Sequence, residues 1–221
     1  MRILLTIPPI VVAVGLCLFL PAGRVNWIRG WLYLALLIPG WLTVALAVSR
    51  FNPELIRARW SGHQGVKDWD RAFLVVFRLL IPAVFVISSL DAGRFVWSGM
   101  PESLWSVGAL LHFAGFSLIA WSMSVNPHFE GRVRIQTERD HQVIDRGPYR
   151  VVRHPGYVGF ALALAAIPLL LGSWWGLVPA GLSVLTLLIR THLEDRLLRE
   201  ELEGYGAYSR RVRFRLLPWI W

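Results

Sequence analysis

The sequence predicts an all-α fold: a polytopic transmembrane helical bundle of about five to six spans, with a C-terminal helical hairpin and a cytoplasmic tail helix. Three observations carry this. The 221 residues are 55% hydrophobic and only 17% charged, where soluble domains carry about 25% charge. The apolar residues fall in blocks of roughly 15–20, close to the length that crosses hydrocarbon as a helix. The arginines gather in a few segments between those blocks.

The first block, Ile3–Leu20, follows a single early arginine and precedes Pro21-Ala22-Gly23. That is a poor cleavage site, so the block reads as a retained helix rather than a signal peptide. The second block is Trp31–Val48, the third Ala72–Leu90 and the fourth Leu104–Trp121. A shorter pair follows, Tyr157–Leu171 and Trp175–Ile189, separated only by "GSWW". So short a connection makes a helical hairpin, tilted or partly buried against the other helices. One domain results: residues 1–122 supply four spans, and residues 123–221 supply a loop, the hairpin and the tail. The lone cysteine, Cys17, sits inside the first block. It allows no disulfide within the chain and no cysteine cluster for zinc.

Orientation follows from the basic residues. Arg50, Arg57, Arg59, Lys67 and Arg71 follow the second block, Arg132 to Arg153 follow the fourth, and Arg196 to Arg215 fill the tail. The opposite loops hold only Arg24, Arg29 and Arg94. The positive-inside rule therefore places both termini and both long loops in the cytoplasm. Most of the net charge of +9 is thus topological. Nucleic acid is a poor partner for arginines that hug membrane spans, whereas anionic lipid head groups suit them. Tryptophans at Trp27, Trp31, Trp97, Trp105, Trp174, Trp175, Trp219 and Trp221 fall at the predicted interfaces, as belt anchors do. Arg78, inside the third block, is accounted for by snorkelling, with a functional charge as the alternative. His63, His112 and His128 have no metal-like partners at useful spacing, so no metal is expected.

Chemistry is expected where polarity concentrates against the membrane, in Ser122–Tyr157 and Arg190–Pro218. The two segments bracket the hairpin, so they lie close in space. "GPYRVVRHPGYVGF", Gly147–Phe160, breaks helix and strand alike with its glycines and prolines. Arg190 and Glu194 are four apart on one helix face, where a plain ion pair would also put them.

These residues carry a resemblance. "GPYRVVRHPGY", an apolar hairpin, "RTHLEDRLL", and then Tyr205, Tyr208 and Pro218 resemble the isoprenylcysteine carboxyl methyltransferase family and the related membrane phospholipid methyltransferases. The likeness covers about Gln136–Pro218. Two departures stand out: Asp195 replaces a glutamate, and Glu201–Gly204 replace the Phe-Gly expected before Tyr205. The resemblance implies S-adenosylmethionine as methyl donor. It places donor contacts on Gln136, His141, Gln142, Val143, Ile144, Tyr149, His154, Pro155, Gly156, Tyr157 and Glu194. It sets Arg190 against the methyl acceptor.

The residue types suit such a transfer. A methyl donor that is already reactive needs chiefly placement and a dry site. Tyr149 and Tyr157 offer faces to a cation. A carboxylate acceptor needs no base but needs a cation, for which Arg190 is a bidentate candidate and Arg153 the second. An amine or thiol must lose a proton, with His154 or Glu194 assisting. The expected activity is therefore membrane methyl transfer to a lipidic or apolar acceptor, foremost an isoprenylcysteine-type carboxylate. Phospholipid amine or thiol methylation is the enzymatic alternative, and a non-catalytic scaffold or transporter-like protein the other. The polar tail is expected to be held mainly by ligand contacts and by its apolar end.

Overall fold

The computed structural model describes residues 2–58 and 65–221, with side chains from residue 4 onward. Arg59 and His63 lie outside the described residues. Eight α-helices and no strand occur among the described residues: α1 (Ile7–Ala22), α2 (Ile28–Phe51), α3 (Pro53–Ala58), α4 (Asp68–Ser88), α5 (Ser103–Val125), α6 (Pro155–Leu171), α7 (Leu177–Glu201) and α8 (Tyr205–Arg211). Among the described residues, five helical stretches are long and apolar enough to cross a membrane: Leu4–Ala22, α2, Asp68–Phe95, α5 and α7. The shorter α6 has 17 residues. The expected bundle and hairpin are therefore present. The last span runs on to Glu201 without a break, so the tail helix emerges directly from it and only the short α8 stands apart.

The shortness of α6 is explained by its position. Leu164, Ala166, Ile167, Leu170 and Leu171 are all buried, so α6 is packed by protein rather than exposed to lipid along its length. It meets α5 through glycines. A Cβ on Gly115 would lie 2.7 Å from the Gly159 carbonyl oxygen, and one on Gly159 would lie 2.8 Å from the Gly115 carbonyl oxygen. Helices in lipid gain contact by such close backbone approach, because no hydrophobic effect drives them together there.

At one end of the bundle α4 loosens into a π-turn, Ser89–Phe95. It carries the fully buried Asp91, whose Oδ2 accepts from the Ser98 and Ser173 hydroxyls, each at 2.5 Å, and from the Trp175 amide. This pins the α6–α7 turn to α4. At the other end the buried Asn52 donates to the carbonyls of Met123 (2.7 Å) and Asn126 (2.9 Å), satisfying orphan acceptors where α5 stops. The α6–α7 turn and the end of α5 are thus each held in place.

The tryptophans divide. Trp31, Trp97, Trp174, Trp175 and Trp219 are exposed, as interface anchors are. Trp27 differs: it is buried, packed against Gly30 and Gly93, so it belongs to the core. Arg78 projects outward on the exposed side of α4.

Candidate active site

A cavity of about 260 Å³ opens at the end where α4 and α6 begin and α5 and α7 finish. One wall is apolar, built by Phe73, Leu74 and Phe77 of α4 with Phe129, Phe160 and Leu187. The opposite wall is the polar loop between α5 and α6 together with the tail. Every site residue expected from the sequence lines this cavity except Pro155, which occupies the first turn of α6. A proline fits there because that position has no intrahelical use for its missing N–H.

The loop is shaped by local chemistry. Gly147 takes φ +57, which glycine adopts without strain, and opens the 3-10 turn Gly147–Arg150. Gly156 lets the Phe129 ring lie directly on α6, where any Cβ would overlap it. The buried Gln136 holds the loop together. Its Nε2 donates to the His128 carbonyl (2.8 Å), and its Oε1 faces His128 Nδ1 (3.3 Å). His128 Nε2 accepts the Gln142 amide (3.3 Å), and His141 Nδ1 accepts the Gln136 amide (3.3 Å). These acceptor roles require both rings neutral. Burial pushes His128 below its ordinary value and pushes His141 down to about 4. The two rings lie against each other with centroids 4.4 Å apart. Beside them Arg134 is clamped by Glu130 (3.0 Å) and Glu138 (2.6 Å), and its hydrogen bond holds the Glu138 carboxyl down at about 2.

A pH dependence follows. The unfolded chain protonates His141 below about 6.5, the folded chain only near 4. Between those values the unfolded state binds more protons, so stability is lost as pH falls through that window. Melting temperature is expected to decline from pH 6.5 toward pH 4, and His141→Gln to flatten part of that decline. An identical decline in the variant would remove His141 from the account.

Arg190 faces the apolar wall, its guanidinium 4.5 Å from the Phe73 ring centroid and 5.5 Å from that of Tyr157. It is not paired with Glu194 along the helix. Its Nε donates instead to Asp70 Oδ1 (2.9 Å) and its Nη2 to the Gly131 carbonyl (2.9 Å). The Nε side of its fork is therefore taken, and Nη1 carries no hydrogen bond among the described residues. Glu194 accepts the Tyr157 hydroxyl. Tyr149 is buried, its hydroxyl accepting from Asn126 (3.0 Å) and its carbonyl from Tyr208 (2.7 Å).

Arg153 and His154 sit behind this layer. Arg153 forks onto the fully buried Asp195 through Nε (2.6 Å) and Nη2 (3.1 Å). Its Nη1 donates to the Val212 and Arg213 carbonyls, each at 2.7 Å. Asp195 also accepts from Arg215 (2.9 Å) and the Tyr205 hydroxyl (3.0 Å). The amides of Arg153 and His154 pair with the carbonyls of Phe214 and Arg215, each at 2.9 Å. The tail is consequently tied down by the protein itself, which corrects the expectation that a ligand would hold it.

Sequence reasoning missed Asp70, Asn126 and the His128–Gln136–His141 network. Asp70 stands in the first turn of α4, where any acid suits the start of a helix. Only the fold brings it to Arg190, 120 residues on. No group of three or more His, Cys, Asp or Glu that could hold a metal ion occurs among the described residues.

A model of the isoprenylcysteine carboxyl methyltransferase (ICMT) family matches residues 108–200, from α5 through nearly all of α7. A protein named methanethiol S-methyltransferase, from a Pseudomonas species, is 30% identical over 191 residues, spanning 76% of this chain and 72% of that protein. With the helical bundle and the cavity at its end, these matches define a membrane methyltransferase. The chain belongs to the isoprenylcysteine carboxyl methyltransferase family.

Proposed function

We propose that this protein methylates a small apolar thiol at the cytoplasmic face of the membrane, with S-adenosylmethionine as donor. The observation that carries the choice of acceptor is the charge around Arg190. Asp70, behind the cavity lining, already compensates that cation, and Glu194 places a carboxylate on the cavity itself. A carboxylate acceptor brought to the Arg190 guanidinium would meet a cation already compensated by Asp70 and, one helical turn away, the Glu194 carboxylate. A thiol enters neutral, gives its proton to Glu194 and presents its sulfur to the free Nη1 of Arg190. A neighbouring arginine favours the thiolate. The Pseudomonas relative, named as a methanethiol S-methyltransferase, supports the same class.

The residues present fit the donor. When bound, S-adenosylmethionine supplies an electrophilic methyl group on a cationic sulfonium. Glu194 suits its positive groups, the Tyr149 and Tyr157 rings offer faces to a cation, and the loop from Gln136 to Ile144 offers backbone polar groups. The apolar wall excludes water from the reacting sulfur. Tyr157 orients the Glu194 carboxylate, which receives the thiol proton and passes it to solvent.

A second acceptor, the isoprenylcysteine-type carboxylate, is favoured by the family match and by the same free Nη1 of Arg190. A screen of purified protein against an alkanethiol, a prenylcysteine carboxylate and phosphatidylethanolamine, read by mass spectrometry, separates the classes. Turnover is expected with the thiol. Preference for either other acceptor would overturn the assignment. Glu194→Gln is expected to weaken S-adenosylhomocysteine binding about ten- to a hundred-fold by loss of a charge-assisted hydrogen bond. Unchanged affinity by calorimetry would remove Glu194 from the donor site.

A further inference from the structure

We propose that Asp70, which does not line the cavity, determines which acceptor the cavity takes; this rests on the thiol assignment above. Asp70 sits in the first turn of α4 and is fully buried. Its two oxygens do different jobs. Oδ1 accepts Arg190 Nε at 2.9 Å, while Oδ2 accepts the Val133 amide at 2.8 Å. One carboxylate thereby joins the arginine on α7 to the strand of loop that continues into Arg134 and Gln136. The Val133 carbonyl in turn receives the Lys67 amide (3.5 Å) just before α4. The Phe73 ring, one turn further along α4, lies under the guanidinium. Thus α4 supplies both the counter-ion of Arg190 and the surface that Arg190 rests on.

Two consequences follow for an acceptor. The first concerns charge. With Asp70 ionised, the Arg190 cation is already compensated and offers little net attraction to an incoming anion. A thiol that delivers its proton to Glu194 adds no net charge to the site, so its rate responds to Asp70 less than that of an acceptor that arrives charged. An acceptor that arrives as a carboxylate feels the whole difference. The second concerns geometry. Asp70 and Gly131 hold the Nε side of the guanidinium, so only the Nη1 end is turned to the cavity. Asp70 is accordingly a positioning residue that acts through Arg190, and its charge selects against carboxylates.

The test compares kcat/KM for an alkanethiol and for a prenylcysteine carboxylate in the wild type, Asp70→Asn and Asp70→Glu. S-adenosylhomocysteine binding serves as the check of fold. Asp70→Asn is expected to raise the carboxylate-to-thiol ratio about ten-fold or more, the scale of one uncompensated charge at short range in protein. Asp70→Glu, which keeps the charge, is expected to retain the wild-type ratio. Should Asp70→Asn fail to fold, Asp70→Ser offers an uncharged, smaller side chain that still accepts from Arg190. An unchanged ratio in a folded neutral variant, or equal loss of both activities, would overturn the proposal. A wild type that already prefers the carboxylate would overturn the thiol assignment instead, and the direction of the Asp70→Asn shift would still judge the role of Asp70.

Discussion

Arg190→Ala is expected to cost both stability and turnover, and to cost stability for a reason that lies on another helix. Removing the guanidinium leaves Asp70 fully buried with, among the described residues, only the Val133 amide bonded to its carboxylate. Breaking one side of a buried ion pair costs about 3–5 kcal/mol, because the partner remains as an uncompensated charge. The cation also stands against the apolar wall where, under the proposed thiol methylation, the acceptor sulfur becomes anionic. Loss of one such stabilising donor costs about 10²–10³ in kcat. The two effects separate in a double variant. Arg190→Gln combined with Asp70→Asn removes both charges together, so it should recover most of the melting temperature and none of the turnover. Should the double variant be no more stable than Arg190→Ala, the pair is not the source of the loss. Should Arg190→Ala keep wild-type turnover, Arg190 has no part in the transfer.

Much of the fold was legible because lipid imposes a simple rule: backbone polar groups must be satisfied within the segment, so long apolar blocks become helices. The hairpin was legible from the brevity of "GSWW". What stayed hidden was which helix faces which, since nearly uniform apolar sequence carries little facial pattern. Trp27 is an example: interface and core tryptophans look alike until Gly30 and Gly93 are seen to make room for one. In the site, the residues between Gln136 and Tyr157 announced themselves as polar and helix-breaking chain at a membrane edge. Arg190 announced itself as well, but its partner did not. Spacing alone pointed to Glu194 four residues along, and the fold supplied Asp70. Arg153 shows the converse. It was singled out as a second acceptor cation, and the structure gives its donors to Asp195 and to the tail carbonyls.

That arrangement gives Asp195 the largest expected structural effect in the tail. Asp195→Ala would leave Arg153, with a side chain only 2% exposed, without its counter-ion, and would free Arg215 and the Tyr205 hydroxyl at the same time. The cost is again about 3–5 kcal/mol for stranding a buried charge. It should fall on one region, because Arg153 joins the start of α6 to the chain after α8. Tyr205 and Tyr208 belong to a small cluster with Leu202 and Val212 and also line the cavity. Release of the tail therefore removes a wall of the cavity proposed to hold the donor. Trypsin is expected to cut the variant faster at Arg210, Arg211, Arg213 and Arg215, and S-adenosylhomocysteine affinity to fall along with that protection. Arg196→Ala supplies the control, since its pair with Glu200 is exposed at 71% and 57%, where an ion pair contributes little. If Asp195→Ala were cut no faster than this control, the backbone pairs from Arg153 and His154 to Phe214 and Arg215 would be sufficient to hold the tail, and Asp195 would not be its anchor.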